Sequence, residues 1–317
     1  MTPDTVLVVT ASYDVAAEYV VDALRRRGTR AFRLDTDLFP SRFAATFRPP
    51  SDITFGDKKT TLSGDRVKSV WYRRHVRPEL PEELSAGVRD FCEREVRAFL
   101  DGVLGSLQTD RWMSSPVAIA RAERKPFQLA VASQLGFQIP ETVMSSDAAE
   151  VVAEAGKHRL VAKAISSGYV ASPDGNRAIF TSTVRPQDLA ELDGLSVSPV
   201  TFQQLIDKTS DIRVTVVGEE AFAAEILSQG HPSSRTDWRA TEDPFLPHRV
   251  HNLPPDIEAL CLRLVNTLGL VFGAIDLALK DDGSYVFFEI NPNGEWLWIE
   301  DQLAFPISDR IAQWLDA

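Results

Sequence analysis

In FEINPNGEWLWIE, near the end of the chain, Glu289 and Asn291 stand two residues apart in an apolar run that Pro292, Asn293 and Gly294 then break. Successive side chains of a strand point to opposite faces, so these two aim their oxygens together while Phe288 and Ile290 aim the other way. Such oxygens suit a hard divalent cation such as magnesium. Taken alone, the pair also fits a half-buried strand with a polar outer face. The preceding segment adds weight to the metal. LVFGAIDLALKDDGSYVFFEINPNG carries two apolar runs around Asp282-Gly283, the dipeptide of a two-residue type I′ turn. That turn sets Asp281 opposite Ser284 and, counting outward, Asp276 opposite Glu289. Cross-strand partners share a face, so Asp276, Glu289 and Asn291 are expected to converge. Two carboxylates and an amide leave coordination positions for water and nucleotide phosphates.

Cationic residues in other apolar runs point to an anionic ligand. Lys163 lies within LVAKAI, where a buried ammonium without a partner costs several kcal/mol, so an anion is expected beside it. The loop SSGYVASPDGN follows, and its backbone amides could close over phosphates. An exposed edge-strand lysine beside an ordinary hairpin is the competing reading. Lys125, near the start of a helix, reads by itself as a solvated residue. In TFQQLIDKTSDIRVTVVG, Asp211 and Arg213 share a face of one strand, and a simple salt bridge between them is the plain expectation. The basic run Arg73, Arg74, His75 and Arg77 suits an acidic peptide, although a solvated loop or interdomain salt bridges account for it equally well.

The elements that must position these groups can be traced along the chain. Residues 5–12, TVLVVTAS, form a buried strand, a helix follows over 16–27 up to Gly28, and a second strand covers 30–34. The strand-to-helix turn lacks GxGxxG, which argues against a dinucleotide site and makes a dehydrogenase remote. Residues 82–109 carry a helical pattern with Val88, Phe91, Cys92, Val96, Phe99 and Leu100 on one apolar stripe. An irregular stretch around Ser114, Ser115 and Pro116 marks a boundary, and a helix over 123–135 ends at Gly136. Strands are expected over 159–165, 178–184, 200–206, 212–217 and 221–227. The 317 residues suffice for two or three domains, and 44% hydrophobic with 25% charged residues is ordinary for a soluble globular protein. A net charge of -11 argues against nucleic acid or an anionic membrane as the main partner. With neither a secretory signal pattern nor a membrane-spanning apolar run, the cytoplasm is the expected location. Cys92 and Cys261 lack metal-ligand spacing and read as buried structural thiols.

In order and spacing, Lys125, VAKAI with Lys163, FQQLID, DIRVTVVG, AIDLAL and FEINPNG resemble the ATP-grasp ligases over about residues 115–300. VWYRRHVRPEL, AAEILSQ, TDWR and NPNGEWLWIE are similar to the subgroup that matures ribosomal peptides into graspetides such as microviridins. The resemblance implies an α/β (α+β) protein with the ATP-grasp fold: a Rossmann-like N-terminal domain over residues 1–113, a central domain over 114–199 and a C-terminal domain over 200–317, the last two clamping ATP. It implies that Lys125 and Lys163 contact phosphates, that the backbone of Gln204, Leu205 and Ile206 holds adenine, and that Asp207 binds the ribose. Gln204 stands where many of these enzymes carry glutamate, which affects its side chain but not the backbone hinge. Arg213 and Arg239 are implied to stabilise the transferring phosphate and an acyl-phosphate, with Asp211 completing a DxR pattern, and Asp276, Glu289 and Asn291 to hold Mg2+. The implied activity is closure of ester or amide links in a ribosomal precursor peptide, with its leader and core, through ATP-activated Asp or Glu side chains. A second copy of the chain is a further candidate partner, and the oligomeric state stays open. A glutamate-adding type of ligase and a non-catalytic nucleotide- or peptide-binding protein are the alternatives.

Overall fold

The structure, a computed structural model, describes residues 2–166, 168–170, 177–240 and 246–317. The chain divides into two compact units, residues 1–116 with 295–317 and residues 117–294. This grouping departs from the three-part division expected from the sequence. The last helices, Leu297–Leu303 and Ile307–Asp316, return to the first unit, while the strand Val200–Gln204 pairs with Leu160–Lys163 and so belongs to the central sheet.

The first unit is built on a parallel sheet ordered Arg30–Asp35, Thr5–Thr10, Val67–Tyr72, Trp112–Met113. TVLVVT is buried throughout, as an apolar run must be when both faces of a parallel strand are covered. Asp14 caps the helix Val15–Arg26 by accepting from the Ala17 N–H, and Gly28 ends it at φ +80°, a conformation that favours glycine. The long helix is Ala86–Gly105, and it corrects the expected apolar stripe. Val88, Phe91 and Phe99 are exposed, and the buried residues are Leu100, Val103 and Leu104, one turn-spaced set at the C-terminal end alone. Cys92 is half-buried, whereas Cys261 is buried and its thiol is pushed up to about 12 by that burial.

Among the described residues the second unit contains a two-stranded antiparallel sheet, Tyr169–Val170 with Arg177–Ala178, and two larger antiparallel ones. One runs Ser182–Thr183, Leu160–Lys163, Val200–Gln204, Thr142–Ser145, over a core of Val151, Leu160, Leu195 and Phe202. The other runs His248–Val250, Glu220–Ile226, Ser210–Val217, Phe272–Leu279, Tyr285–Asn291. Gly136 at φ +100° ends the helix Lys125–Leu135, as the sequence leads one to expect. Part of SSGYVASPDGN, namely Ser167 and residues 171–176, lies outside the described residues. Among the described residues no helix is long and apolar enough to cross a membrane.

Candidate active site

Asp276 does pair with Glu289, but not through the expected turn. Lys280 donates its N–H to the Ser284 carbonyl at 3.0 Å and Gly283 donates to Lys280 at 3.1 Å, so the hairpin closes over Asp281, Asp282 and Gly283 with Gly283 at φ +80°. Leu279 then faces Tyr285 and Leu277 faces Phe287, and a bulge at Phe288 restores the alignment of Asp276 with Glu289. The register is one residue short at the turn and regains that residue at the bulge.

The bulge also corrects the side-chain alternation. Phe288 lines the same cavity as Glu289, while the buried Phe287 packs against Phe137 with ring centroids 5.3 Å apart. The ammonium groups of Lys163 and Lys208 lie 6.0 and 5.5 Å from the Phe288 ring centroid. Asn291 pairs with Ala274 and accepts from the Gly294 N–H at 3.1 Å. A Cβ on Gly294 would come within 2.3 Å of the Ala274 Cβ, so only glycine lets the chain fold back there, which is what the Pro-Asn-Gly break is for.

The cavity, with about 640 Å³ of empty space including its mouth, is lined by Lys163, Gln204, Leu205, Ile206, Asp211, Arg239, Asp276 and Glu289 among others. Glu289 lies 3.0 Å from the Lys125 Nζ and 3.5 Å from the Arg239 Nη1. Burial opposes its ionisation, but Lys125, Arg239 and Lys163 outweigh burial and hold the carboxyl well below the usual range. Asp276, whose nearest cation is Arg213 at 3.3 Å, is displaced upward by burial. Lys163 is pushed down to about 8 by burial, partly offset by Glu289.

The Asp211–Arg213 salt bridge does not form. Asp211 takes Lys208 at 2.7 Å and Arg213 takes Asp276, with the Arg213 guanidinium 5.6 Å from the Trp238 ring. Neighbours in adjacent strands and loops supply better geometry than a partner two residues along. Arg239 grips Asp237 through Nε at 2.9 Å and Nη2 at 3.0 Å. Lys208, Arg235, Asp237 and Trp238 line the cavity without having been assigned a role from the sequence, and Phe288 joins them although the alternation placed it on the other face. A signal existed for Asp237, which stands two residues before Arg239 in TDWR.

Elsewhere the placement is less direct. The Asp207 side chain is 90% exposed, 2.6 Å from Arg159, and does not line the cavity. The N–H groups of Gln204 and Leu205 are already donated to Glu141 and Arg159. In the first unit Arg73 is buried, 4.8 Å from the Trp296 ring, 2.8 Å from Glu295 and 3.6 Å from Asp14. Arg74 also pairs with Glu295, and burial lowers the pKa of His75. The charge of Arg73 is therefore committed inside its own unit rather than presented to a peptide.

Asp276 and Glu289 are hard oxygens on facing strands and fit magnesium, whereas Asn291, two residues beyond Glu289 and opposite Ala274, is not among the residues that line the cavity. Among the described residues no cluster of three or more His, Cys, Asp or Glu side chains could hold a metal by itself. Two carboxylates need further oxygens, and the surplus of cations around them is suited to phosphates that would supply those oxygens. Lys125, Lys163, Lys208, Arg213, Arg235 and Arg239 face Asp211, Asp237, Asp276 and Glu289.

Residues 5–120 match the family model described as the MvdD pre-ATP grasp domain. Across 98% of this chain and 99% of its own, the macrocyclase MdnC of Microcystis aeruginosa MRC, solved with its precursor peptide MdnA, is 33% identical with a TM-score of 0.88. The chain belongs to the ATP-grasp peptide macrocyclases. Macrocyclase MdnB of the same organism is 31% identical with a TM-score of 0.82, each chain covered to 99%. A RiPP-associated ATP-grasp ligase of Chryseobacterium gregarium, in complex with ADP and a leader and core peptide, is 29% identical with a TM-score of 0.90, over 98% of this chain and 96% of that one. No curated protein matches. This macrocyclase has the mixed α/β, ATP-grasp architecture implied by its motifs.

Proposed function

We propose that this enzyme uses ATP and Mg2+, in the cytoplasm, to activate Asp or Glu side chains of a ribosomal precursor peptide and to close ester or amide links within it. The observation that carries the reading is the cavity in which Asp276 and Glu289 face each other beneath more cations than they neutralise. A peptide carboxylate attacks the γ-phosphorus, ADP leaves and an acyl-phosphate forms; a Ser or Thr hydroxyl or a Lys amine of the same peptide then displaces phosphate. Lys125 and Arg239 exchange Glu289 for phosphate oxygens, which releases that carboxylate toward the metal. Asp276, Glu289 and Asn291 would hold magnesium, which when bound would supply positive charge to the transferring phosphoryl group. Lys163 and Arg213 offset the remaining charge as it develops. Gln204, Leu205 and Ile206 form the adenine wall, with Asp207 reaching the ribose by turning from Arg159. Arg74 and His75 remain candidates for an acidic stretch of the peptide, whereas Arg73 supports Glu295 and Trp296.

With a cognate precursor, ATP and magnesium, mass spectrometry should record a loss of about 18 Da per link, since each condensation removes one water, and ADP should accumulate because attack is at the γ-phosphorus. AMP and pyrophosphate would rule out the acyl-phosphate route. A gain of mass on the peptide would favour a ligase joining separate molecules.

Lys163 offers a thermodynamic test. Because burial lowers its pKa, the native state binds this proton less tightly than the unfolded chain, so the charged form is a cost to folding below about pH 8 and stability rises as the pH climbs from there toward the ordinary lysine value. Lys163→Met is therefore expected to weaken ATP binding by about tenfold or more in calorimetry without lowering the nucleotide-free Tm. Wild-type ATP affinity should fall as the pH passes about 8. Unchanged affinity in Lys163→Met would reduce Lys163 to a buried charge with no part in nucleotide binding, on a strand that has neighbours on both sides.

A further inference from the structure

Among the described residues the strand Tyr285–Asn291 is the edge of its sheet, and one side of its backbone has no neighbouring strand there. That side is supported at two points from outside the sheet. Phe287 donates its N–H to the Gln138 carbonyl at 2.8 Å, within an isolated parallel bridge between Gln138 and Val286. The second support is a side chain. Gln128 accepts the Ile290 N–H on Oε1 at 2.9 Å and donates from Nε2 to the Ile290 carbonyl at 3.2 Å and to the Ala122 carbonyl at 2.9 Å. Its amide thus does for Ile290 what a residue of a further strand would do.

Ile290 lies between Glu289 and Asn291. Its own side chain is buried, and the absence of a Cβ on Gly273 gives it room, since a Cβ there would meet the Ile290 Cδ1 at 2.8 Å. With the backbone of Ile290 held on both its polar groups and its side chain held in the core, the strand has little freedom to rotate, and its neighbours on either side must present their oxygens to the opposite face. Gln128 is one helical turn after Lys125, whose ammonium meets Glu289 at 3.0 Å, so a single helix face holds the strand's backbone and its carboxylate together. The amide is buried with both its donor and acceptor sides bonded, the condition under which a polar side chain specifies one arrangement rather than weakening the core.

We infer that Gln128 is a positioning residue of the macrocyclase, an amide clamp on Ile290 that sets the angle at which Glu289 and Asn291 offer their oxygens to the divalent cation. The inference rests on the proposed metal role of those two residues. Support for ligands from an outer layer of hydrogen bonds is typically worth about ten- to a hundredfold in metal affinity. The test is the affinity for Mn2+, a paramagnetic substitute for Mg2+, read from the free-ion electron paramagnetic resonance signal with ADP present, together with the Mg2+ concentration giving half-maximal ATP turnover. Gln128→Met keeps the length and removes all three bonds, and should weaken Mn2+ binding by about tenfold or more and raise the Mg2+ requirement in step, with maximal turnover largely recovered at high Mg2+. If Gln128→Met does not fold, Gln128→Glu carries the test: it keeps the acceptor for Ile290 and loses both donors, and an intermediate weakening is expected. A lower Tm with unaltered Mn2+ affinity in the folded variant would make Gln128 a structural amide only and overturn the inference. Glu289→Gln in the same titration separates the two layers. Should it weaken Mn2+ while Gln128 variants do not, the clamp fails alone; should neither weaken it, the metal assignment fails and takes the clamp with it.

Discussion

Glu289→Ala is expected to cut ATP turnover by about a hundred- to a thousandfold or more while the protein still folds. Two roles meet at this carboxylate. It is one of the two acids that face each other across the hairpin, and it is the shared counter-charge of Lys125 and Arg239. Removing it takes away a metal ligand but also frees two cations for the phosphates, so the two roles predict opposite changes. Catalysis should collapse, whereas the affinity for nucleotide in the absence of magnesium should hold or tighten. Folding should suffer only modestly, because the side chains of Lys125 and Arg239 are 18% and 46% exposed and can find water when their partner is gone. A Tm lowered by a few degrees is therefore the expected scale, about 1 kcal/mol for a unit of this size. Wild-type turnover of the variant at saturating magnesium would remove Glu289 from the metal site.

The pairing on which that prediction rests was legible for a reason that is partly accidental. Asp282-Gly283 suggests a two-residue turn, and counting from it reaches Asp276 opposite Glu289, yet the real turn spans one more residue and the bulge at Phe288 absorbs the difference. Such a bulge has no compositional mark, since Phe287-Phe288 reads like any apolar pair in a strand. The same blind spot hid the ring beneath Lys163 and Lys208. Local punctuation served better. Gly28 and Gly136 as helix ends and the buried strand TVLVVT each depend on neighbours within a turn or two, and each is where the sequence placed it.

Long-range placement was not legible. The stripe Val88, Phe91, Phe99 has helical periodicity, but periodicity identifies a face without saying that anything covers it, and these three residues are exposed. Gln128 carries no sign of its role, because a glutamine in the first turns of a helix ordinarily reads as solvated, and only the edge of a strand many residues later makes it an interior group. Arg73 is the converse case: VWYRRH reads as a basic surface, and the meeting with Trp296 and Glu295 that buries its first arginine is made by the segment NPNGEWLW. The subgroup motifs that no phosphate or metal explains are thus in part structural motifs of the first unit, held to each other by an aromatic face and a pair of charges.

Arg213→Ala should stop ADP formation and peptide dehydration together, each by about a hundredfold or more. Arg213 belongs to the middle strand of the five-stranded sheet, directly across from Asp276, and its guanidinium is buried beside that carboxylate and the Trp238 ring. Its removal acts twice. A cation is lost from the phosphoryl-transfer step, and Asp276, which burial already displaces upward and which Arg213 does most to hold down, is left to take up a proton beside Glu289. Both consequences precede formation of the acyl-phosphate, so ADP formation and the later loss of water should fall together. Arg213→Lys should restore part of the loss, since an ammonium returns the charge to Asp276 but lacks the planar fork that holds carboxylate and phosphate at once. ADP released at the wild-type rate without loss of mass from the peptide would assign Arg213 to the second displacement instead, because the carboxylate would then be activated normally and only its capture by the hydroxyl or amine would fail.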